Sequence, residues 1–511
     1  MREAVQDFRK RAEQADFVAV VDDSGEHTAR ELLTHAEVLA DVLGPRATAL
    51  VQAGNSWRTV AAALATGLTG GVLAVVNRHT TRAEFAAACE DIRPDVVVAE
   101  PSAMDEWDVA AVRPGGTRPA LDCWSAVSGA GRGDPARWNG GAFIGLTSGS
   151  TGRAKGVVQS EEALRYACSC TIEINGLRPG DAVAAIVPLS SAAAFCFGVY
   201  CSLLLGGPLV LTAKWDPPAV VARLAETRTR WTMCVPTMAL QLADAGALPG
   251  VRSITVGGGP MDRVALERAE TALGTKILRV FGMSECLGHT SPLPEEPAEI
   301  RLGHDGRPFP GTEVRAVSPH GAVLGPGETG RAQVLGPSLF LGYARGGRVE
   351  PPELTGDGFF PTGDLVVSDV DGLITIMGRE KDVIIRGGRN IDVTEIERAV
   401  AGYERLEQAC VVPVHDDVLG ERVALLAVPR DGSPVELGDI TGYLQEAGLS
   451  KTKWPEFVYL VDALPQTKVG KLDRAGAREV AEGLHTGVAD PAKSRPTPTR
   501  HVTVAAKVIR P

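Results

Sequence analysis

The sequence predicts an α/β fold, with a large N-terminal domain that includes a small β-rich subdomain and with a smaller α+β C-terminal domain. Three observations predict it. Strand-like and helix-like patterns alternate to about residue 310, the mark of a parallel sheet covered by helices. From residue 311 the pattern changes to short strands between Gly/Pro turns, and after Gly378 a separate run of helix and strand signals continues to about residue 480. A chain of 511 residues is long enough for this organisation.

The elements follow in order. FVAVVDD (17–23) reads as a strand, and Thr28 can cap a helix through ARELLTHAEVLADVL. SWRTVAAALATGLTG reads as a helix and GVLAVVN (71–77) as the next strand. Thr81 and Glu84 fit a capping box, in which hydroxyl and carboxylate each satisfy an orphan amide. DVVVAE (95–100) reads as a buried strand. Residues 182–213 carry no charge and are long enough to span a bilayer. Pro188, Ser190, Ser191 and Gly206-Gly207-Pro208 punctuate them, so they are expected to form strand, loop, buried helix and strand. TEVRAV, ETGRAQVLG and GLITIMG supply the short strands of the subdomain. The tail, 486–511, is rich in Pro, Thr, Lys and Arg and is expected to be flexible, with HVTVAAKVI a candidate strand within it.

Composition narrows the function. Apolar residues make up 44% and charged residues 23%, which excludes a disordered chain, a collagen or a coiled coil. A formal net charge of -11 repels phosphate backbones and argues against nucleic acid as the main partner. Nine cysteines without a CxxC pair indicate neither a zinc site nor a disulfide framework. Free thiols and a charged start, MREAVQDFRKRAEQAD, fit a cytoplasmic protein without a secretory signal.

The strongest local signal is Leu146-Thr147-Ser148-Gly149-Ser150-Thr151-Gly152-Arg153-Ala154-Lys155-Gly156, after the strand-like AFIGL. Glycines let a backbone turn tightly and aim N–H groups at anionic oxygens. The hydroxyls and Lys155 add donors and charge suited to a polyphosphate, although the Walker A spacing is absent. Alone, such a stretch also fits a flexible surface loop. Four further pieces follow it. Phe281-Gly282-Met283-Ser284-Glu285 sets a hydroxyl beside a carboxylate able to hold Mg²⁺. Thr362-Gly363-Asp364-Leu365 places an acid at a turn, suited to vicinal ribose hydroxyls. Gly378-Arg379-Glu380-Lys381-Asp382 comes next, and Pro465-Gln466-Thr467-Lys468-Val469-Gly470-Lys471-Leu472-Asp473-Arg474 ends the ordered chain.

In this order and spacing the pieces resemble the adenylate-forming superfamily, most closely its stand-alone acyl-CoA synthetases and acid–thiol ligases. The resemblance spans about residues 10 to 480. It implies a lid that rotates between two half-reactions: formation of an acyl-AMP from a carboxylate and ATP, then thiol attack to give a thioester and AMP. It divides the chain into 1–378, a hinge at 379–382, a lid at 383–485 and the tail. Position by position, Thr147, Ser148, Gly149, Ser150, Thr151, Gly152 and Lys155 would hold the β- and γ-phosphates. Ser284 would contact the α-phosphate and Glu285 would organise Mg²⁺. Gly258, Gly259 and Pro260 would line the adenine and acyl sites beside Phe281, Gly282 and Met283. Asp364 and Arg379 would bind the ribose, although they also fit a structural ion pair. Lys381 would be the hinge, and Lys471 would bridge carboxylate and α-phosphate, placing a cation where two anions meet. Arg386, Gly387, Gly388 and Arg389 would pass the pantetheine arm of coenzyme A, or form a solvated basic turn.

The departures are informative. Ala154 replaces the usual Pro in the phosphate loop, which predicts a looser loop. Glu161 replaces a common His and Val393 a common Pro, and PLSSAAAFCFG lacks the pocket His or Asn. The candidate acyl pocket is small or apolar: Ala192, Ala193, Ala194, Phe195, Phe197, Met283, Cys286 and Leu287. A hydrophobic cyclic, aryl or polycyclic acid fits better than an amino acid. ATP, Mg²⁺ and CoA are the expected cofactors and cosubstrates. A separate carrier protein is the alternative acceptor, and a homodimer is compatible with the reading. No carrier-type attachment motif follows Lys471, so a free-standing enzyme is expected. Two competing readings are a specialist for one half-reaction and a non-catalytic acyl-adenylate binder.

Overall fold

The computed structural model describes residues 1–129, 133–147, 154–259, 263–380, 382–387, 389–430, 432–467 and 470–487. Two large sheets organise the N-terminal domain. The first runs Lys276–Val280, Ser253–Gly257, Trp231–Cys234, Val183–Ala185, Leu209–Leu211, Val18–Asp22 and Gly25–Thr28. The second runs Arg348–Glu350, Gly342–Arg345, Lys155–Ser160, Gly141–Thr147, Val72–Asn77, Thr48–Ala53, Val96–Ala99, Ser125–Gly129 and Gly115–Pro119.

Both sheets are parallel at the centre, as alternating helices and strands predict; the second is antiparallel at both edges and the first at one edge, where Gly25–Thr28 pairs with Val18–Asp22. The reason is connection length. Gly25–Thr28 follows Val18–Asp22 after a two-residue turn, and Lys155–Ser160 follows Gly141–Thr147 after a short loop. Neither link holds the crossover that parallel neighbours need.

Local chemistry starts and stops the helices. The Thr28 hydroxyl accepts from Glu31 N–H and the Thr81 hydroxyl from Glu84 N–H, each with the reciprocal carboxylate contact. The capping box expected at Thr81 therefore forms, and the cap expected at Thr28 forms as a full box as well. In the uncharged stretch, strand Val183–Ala185 leads to a continuous helical segment from Ala192 to Leu205, whose middle, Phe195–Tyr200, is wound as a π-helix. Gly206, with φ of 65°, ends it in the left-handed conformation that glycine adopts most easily. Strand Leu209–Leu211 follows. No helix among the described residues is long and apolar enough to cross a membrane. All nine cysteines are free thiols and only Cys123 is exposed.

The β-rich subdomain is an antiparallel sheet of Glu313–Val317, Gly330–Leu335, Phe360–Ser368 and Ile374–Arg379. Gly342–Arg345 lies between these strands in sequence but pairs elsewhere, with Lys155–Ser160 of the second large sheet.

The small C-terminal domain is built on the hairpin Leu406–Asp416 and Gly420–Pro429, flanked by Val383–Arg386 and by Phe457–Leu460. Its strands are buried on both faces. Val411, Val423, Leu425 and Ala427 meet Ile396, Val400, Ile440 and Leu444 of two helices, whereas Cys410, Val412, Val414, Ala424 and Leu426 meet Ala477 and Ala481 of the last helix. The alternation is the two-residue period of a strand with a helix layer on either side. This domain docks on the subdomain, where Arg398 donates to the Ile376 carbonyl. Residues 488–511, including HVTVAAKVI, lie outside the described residues.

Candidate active site

Four loops converge at the carboxyl ends of the first sheet's strands. Gly258 follows strand Ser253–Gly257 with φ of 80°. A Cβ placed there would lie 2.7 Å from Lys471 Cε and 2.8 Å from Lys471 Nζ, so the C-terminal domain's lysine lies directly against this turn. Its own loop is tight: Thr467 N–H donates to the Lys471 carbonyl at 2.6 Å and Lys471 N–H to Thr467 Oγ1 at 3.2 Å. Burial pushes the Lys471 ammonium below its usual pKa. Nearby Arg379 pushes the same way and Glu285 opposes it. Lys471 therefore feels a cation at the end of strand Ile374–Arg379 and a carboxylate from the Ser284–Glu285 turn.

Glu285 ends a turn in which Met283 N–H donates to the Cys286 carbonyl and Cys286 N–H returns a bond to the Met283 carbonyl. Gly282 passes so close to Gly288 that a Cβ would stand 2.7 Å from its nitrogen. Gln159 Nε2 donates to the Ser284 carbonyl at 2.8 Å, and Phe340 N–H donates to the Glu285 carbonyl at 2.8 Å. The Glu285 carboxylate accepts from the Tyr343 hydroxyl at 2.9 Å, and the Lys155 ammonium stands 4.9 Å above the same tyrosine ring. Phe281 packs instead into the subdomain, with Ala316, Ala332 and Val366.

Asp364 and Arg379 face each other across two antiparallel strands, with Nε 3.2 Å from Oδ1. Asp364 is 7% exposed. Burial raises its carboxyl above the ordinary range, and Arg379 pulls it back. A largely desolvated carboxylate with one cationic partner can still accept from ribose hydroxyls.

Thr147 and Lys155 pair across the hairpin that brackets the phosphate loop, where the Thr147 hydroxyl donates to the Lys155 carbonyl at 3.4 Å. Ser148, Gly149, Ser150, Thr151 and Gly152 lie outside the described residues, as do Pro260, Lys381 and Gly388. Gly259 has Pro236 as its nearest neighbour.

The acyl-pocket candidates separate into two groups. Phe195 stacks on Phe143 at 4.2 Å and is fully buried. Cys286 points at Ser338 Oγ, 3.3 Å away, among Val157, Val334 and Phe340, and Leu287 belongs to the main core. These three are packing residues, and Ala192, Ala194 and Phe197 are buried in the same main core. Ala193 and Met283 keep partial exposure. Ala192 lies against Gly145, where a Cβ would come within 2.9 Å of its own, and Phe197 lies against Gly288. Arg386 donates to Glu456 Oε1 at 2.8 Å, which neutralises a side chain expected at CoA phosphates. Gly387 is exposed, and for Arg389 the backbone pairs with Arg386. Glu161 is held structurally, accepting from Ala4 N–H and the Tyr200 hydroxyl.

Sequence reasoning missed Tyr343 and Gln159, which hold the Ser284–Glu285 turn from 58 and 125 positions away. Neither belongs to a local motif. Only the pairing of Gly342–Arg345 with Lys155–Ser160 brings Tyr343 near the site.

Among the described residues no cluster of three or more His, Cys, Asp or Glu side chains forms a metal cage. A single carboxylate suits Mg²⁺, which keeps waters and binds through one or two carboxylates plus substrate phosphates. A cavity of about 390 Å³ lined by Glu173, Asn175, Arg252 and Ser253 opens at the other end of strand Ser253–Gly257, away from these groups.

The AMP-binding enzyme family profile matches residues 8–344, and that of its C-terminal domain matches residues 395–471. The pyochelin synthase PchD of Pseudomonas aeruginosa is 34% identical over 341 residues, covering 65% of this chain and only 62% of that protein's length. A salicylyl-CoA synthase / salicylate adenylyltransferase of a Streptomyces species is 30% identical over 512 residues, covering 92% of this chain and 91% of its own. The crystal structure of ATP-bound MatB from Rhodopseudomonas palustris superposes with a TM-score of 0.82 at 26% identity, over 94% of this chain and 99% of that one. A chain with both domain profiles, this architecture and a lysine delivered from the small domain to the strand ends of the large one belongs to the AMP-binding enzymes of the adenylate-forming superfamily.

Proposed function

We propose that this protein activates an aromatic carboxylic acid with ATP and transfers the acyl group to the thiol of coenzyme A. The observation that carries the reading is Lys471 lodged against Gly258, close enough to Glu285 and Arg379 to feel both charges. In the first step a carboxylate oxygen attacks the α-phosphorus of ATP, the bond to the β-phosphate oxygen breaks, and pyrophosphate leaves. Two anions must approach, and a held ammonium at that point stabilises the charge that develops. Asp364 and Arg379 would orient the ribose, and Lys155 would neutralise the outer phosphates. Glu285 would hold a Mg²⁺ that arrives with the nucleotide and screens its phosphate charge. In the second step the small domain turns about Lys381, withdrawing Lys471. The thiol sulfur attacks the acyl carbon and gives up its proton, and AMP leaves.

The acid is proposed as aromatic because the pocket candidates are small or apolar, with alanines and Phe197 and no charged side chain among them. The full-length similarity to a protein named for salicylate supports the same class. A second reading, adenylation for a separate carrier protein, is favoured by one observation: Arg386 is already paired with Glu456.

The test mixes protein, Mg-ATP and a panel of aryl, alicyclic and alkanoic acids, with and without CoA, and follows pyrophosphate, AMP and thioester. Aryl-CoA from free acid supports the reading. Aryl-AMP that never reaches CoA moves it to the carrier alternative, and no turnover with any acid rejects it. Lys471→Ala should lose pyrophosphate release by more than about 100-fold while still converting supplied aryl-AMP.

A further inference from the structure

We infer that Tyr343 is the positioning residue that sets the metal-holding carboxylate. The inference rests on the proposed adenylation chemistry and adds a residue outside its motifs.

Tyr343 stands opposite Val157 on the strand that completes the second sheet. Lys155 is two residues before Val157, so it shares that face and lies diagonal to Tyr343. The ring is fixed on its other side by Phe340, edge to face at 4.9 Å. From this seat the ring carries the Lys155 ammonium at 4.9 Å and the hydroxyl donates to Glu285 Oε1 at 2.9 Å. One rigid side chain thus ties the cation at the end of the phosphate loop to the acid meant for Mg²⁺. Glu285 itself has a fixed backbone, since its carbonyl accepts from Phe340 N–H. Among the described residues its side chain has one oxygen engaged, by Tyr343, and the other would meet a metal–nucleotide complex. A carboxylate with both oxygens free would rotate, and the ordering would fall on each binding event. The residue acts through Glu285 and Lys155 and need not touch the reacting atoms.

The two contacts separate by substitution. Tyr343→Phe keeps the ring and removes the hydroxyl, and Tyr343→Leu removes both. The readout is Mn²⁺ uptake by electron paramagnetic resonance on protein saturated with α,β-methylene-ATP, which cannot be cleaved at the reacting bond. Calorimetry of the same nucleotide in EDTA runs alongside. Tyr343→Phe should weaken Mn²⁺ about three- to tenfold, the scale of one typical intramolecular hydrogen bond, with metal-free nucleotide binding unchanged. Tyr343→Leu should also weaken metal-free binding about two- to fivefold, the scale of an exposed cation–π contact. In turnover, Tyr343→Phe should need more Mg²⁺ for half-maximal pyrophosphate release, and the KM of the acid should not move.

Wild-type Mn²⁺ affinity in Tyr343→Phe overturns the inference. So does equal weakening with and without metal, which marks a merely structural role, or failure of the unaltered protein to take up Mn²⁺ with nucleotide. An acid panel that yields no product rejects the proposed function, yet leaves the Mn²⁺ measurement to decide Tyr343 on its own.

Discussion

Gly258→Ala tests the convergence of the two domains most directly. The added methyl would sit 2.7 Å from Lys471 Cε, where ordinary contact begins at 3.4 Å. The lysine must then retreat by about 0.7 Å, a displacement on the scale that costs a position-dependent step up to about 100-fold. The alanine must also hold φ near 80°, at a further cost of about 1–2 kcal/mol to the folded state. The expected result is a fall of about 10- to 100-fold in single-turnover pyrophosphate release. A double-mutant cycle assigns the cause. If the methyl acts by displacing the ammonium, Gly258→Ala costs little more once Lys471 is already alanine. An equal loss in the wild-type and Lys471→Ala backgrounds would falsify this account, because the glycine would then act through its own backbone.

Two further outcomes follow from the same geometry. Asp364→Asn should raise the KM for ATP about tenfold or more, because it turns a charged acceptor into a neutral one. The KM for the acid should stay put in ATP–pyrophosphate exchange. His289 is fully buried, and its imidazole is pushed down to about 4 by desolvation. The unfolded chain takes up that proton near pH 6.5, so stability is present above about 6.5 and lost as pH falls toward about 4, by about 2–4 kcal/mol. His289→Asn, which can retain the donor to the Cys286 carbonyl, should flatten the melting temperature across that window. An unchanged acid slope would assign the loss to other groups.

Legibility in the sequence followed interaction range. The capping boxes at Thr28 and Thr81 span four residues each, and both form. The uncharged segment resolves into strand, helix and strand because its proline and glycines punctuate it locally. The approach of Lys471 to Gly258 was readable only through the superfamily resemblance, since no periodicity links positions so far apart. Phe195 and Cys286 show the converse. Their apolar character suited a pocket or a core equally, and only the stacked Phe143 and the cluster around Ser338 assign them to the core. Tyr343 and Gln159 went unread because strand pairing, not sequence neighbourhood, delivers them.

The late return of Gly342–Arg345 to an early sheet also bears on how the chain is made. Until residue 342 leaves the ribosome, Lys155–Ser160 has a partner on one side only, and its two consecutive valines belong to an unfinished edge. Such an edge is a template for pairing with other chains, and contacts this distant in sequence form slowly. A chain truncated before residue 342 would therefore carry an open seam through its largest sheet. Synthesis of the N-terminal domain should depend on chaperones or on a pause once the strands of the β-rich subdomain begin, and fragments ending near residue 300 should aggregate where fragments ending after residue 380 stay dispersed.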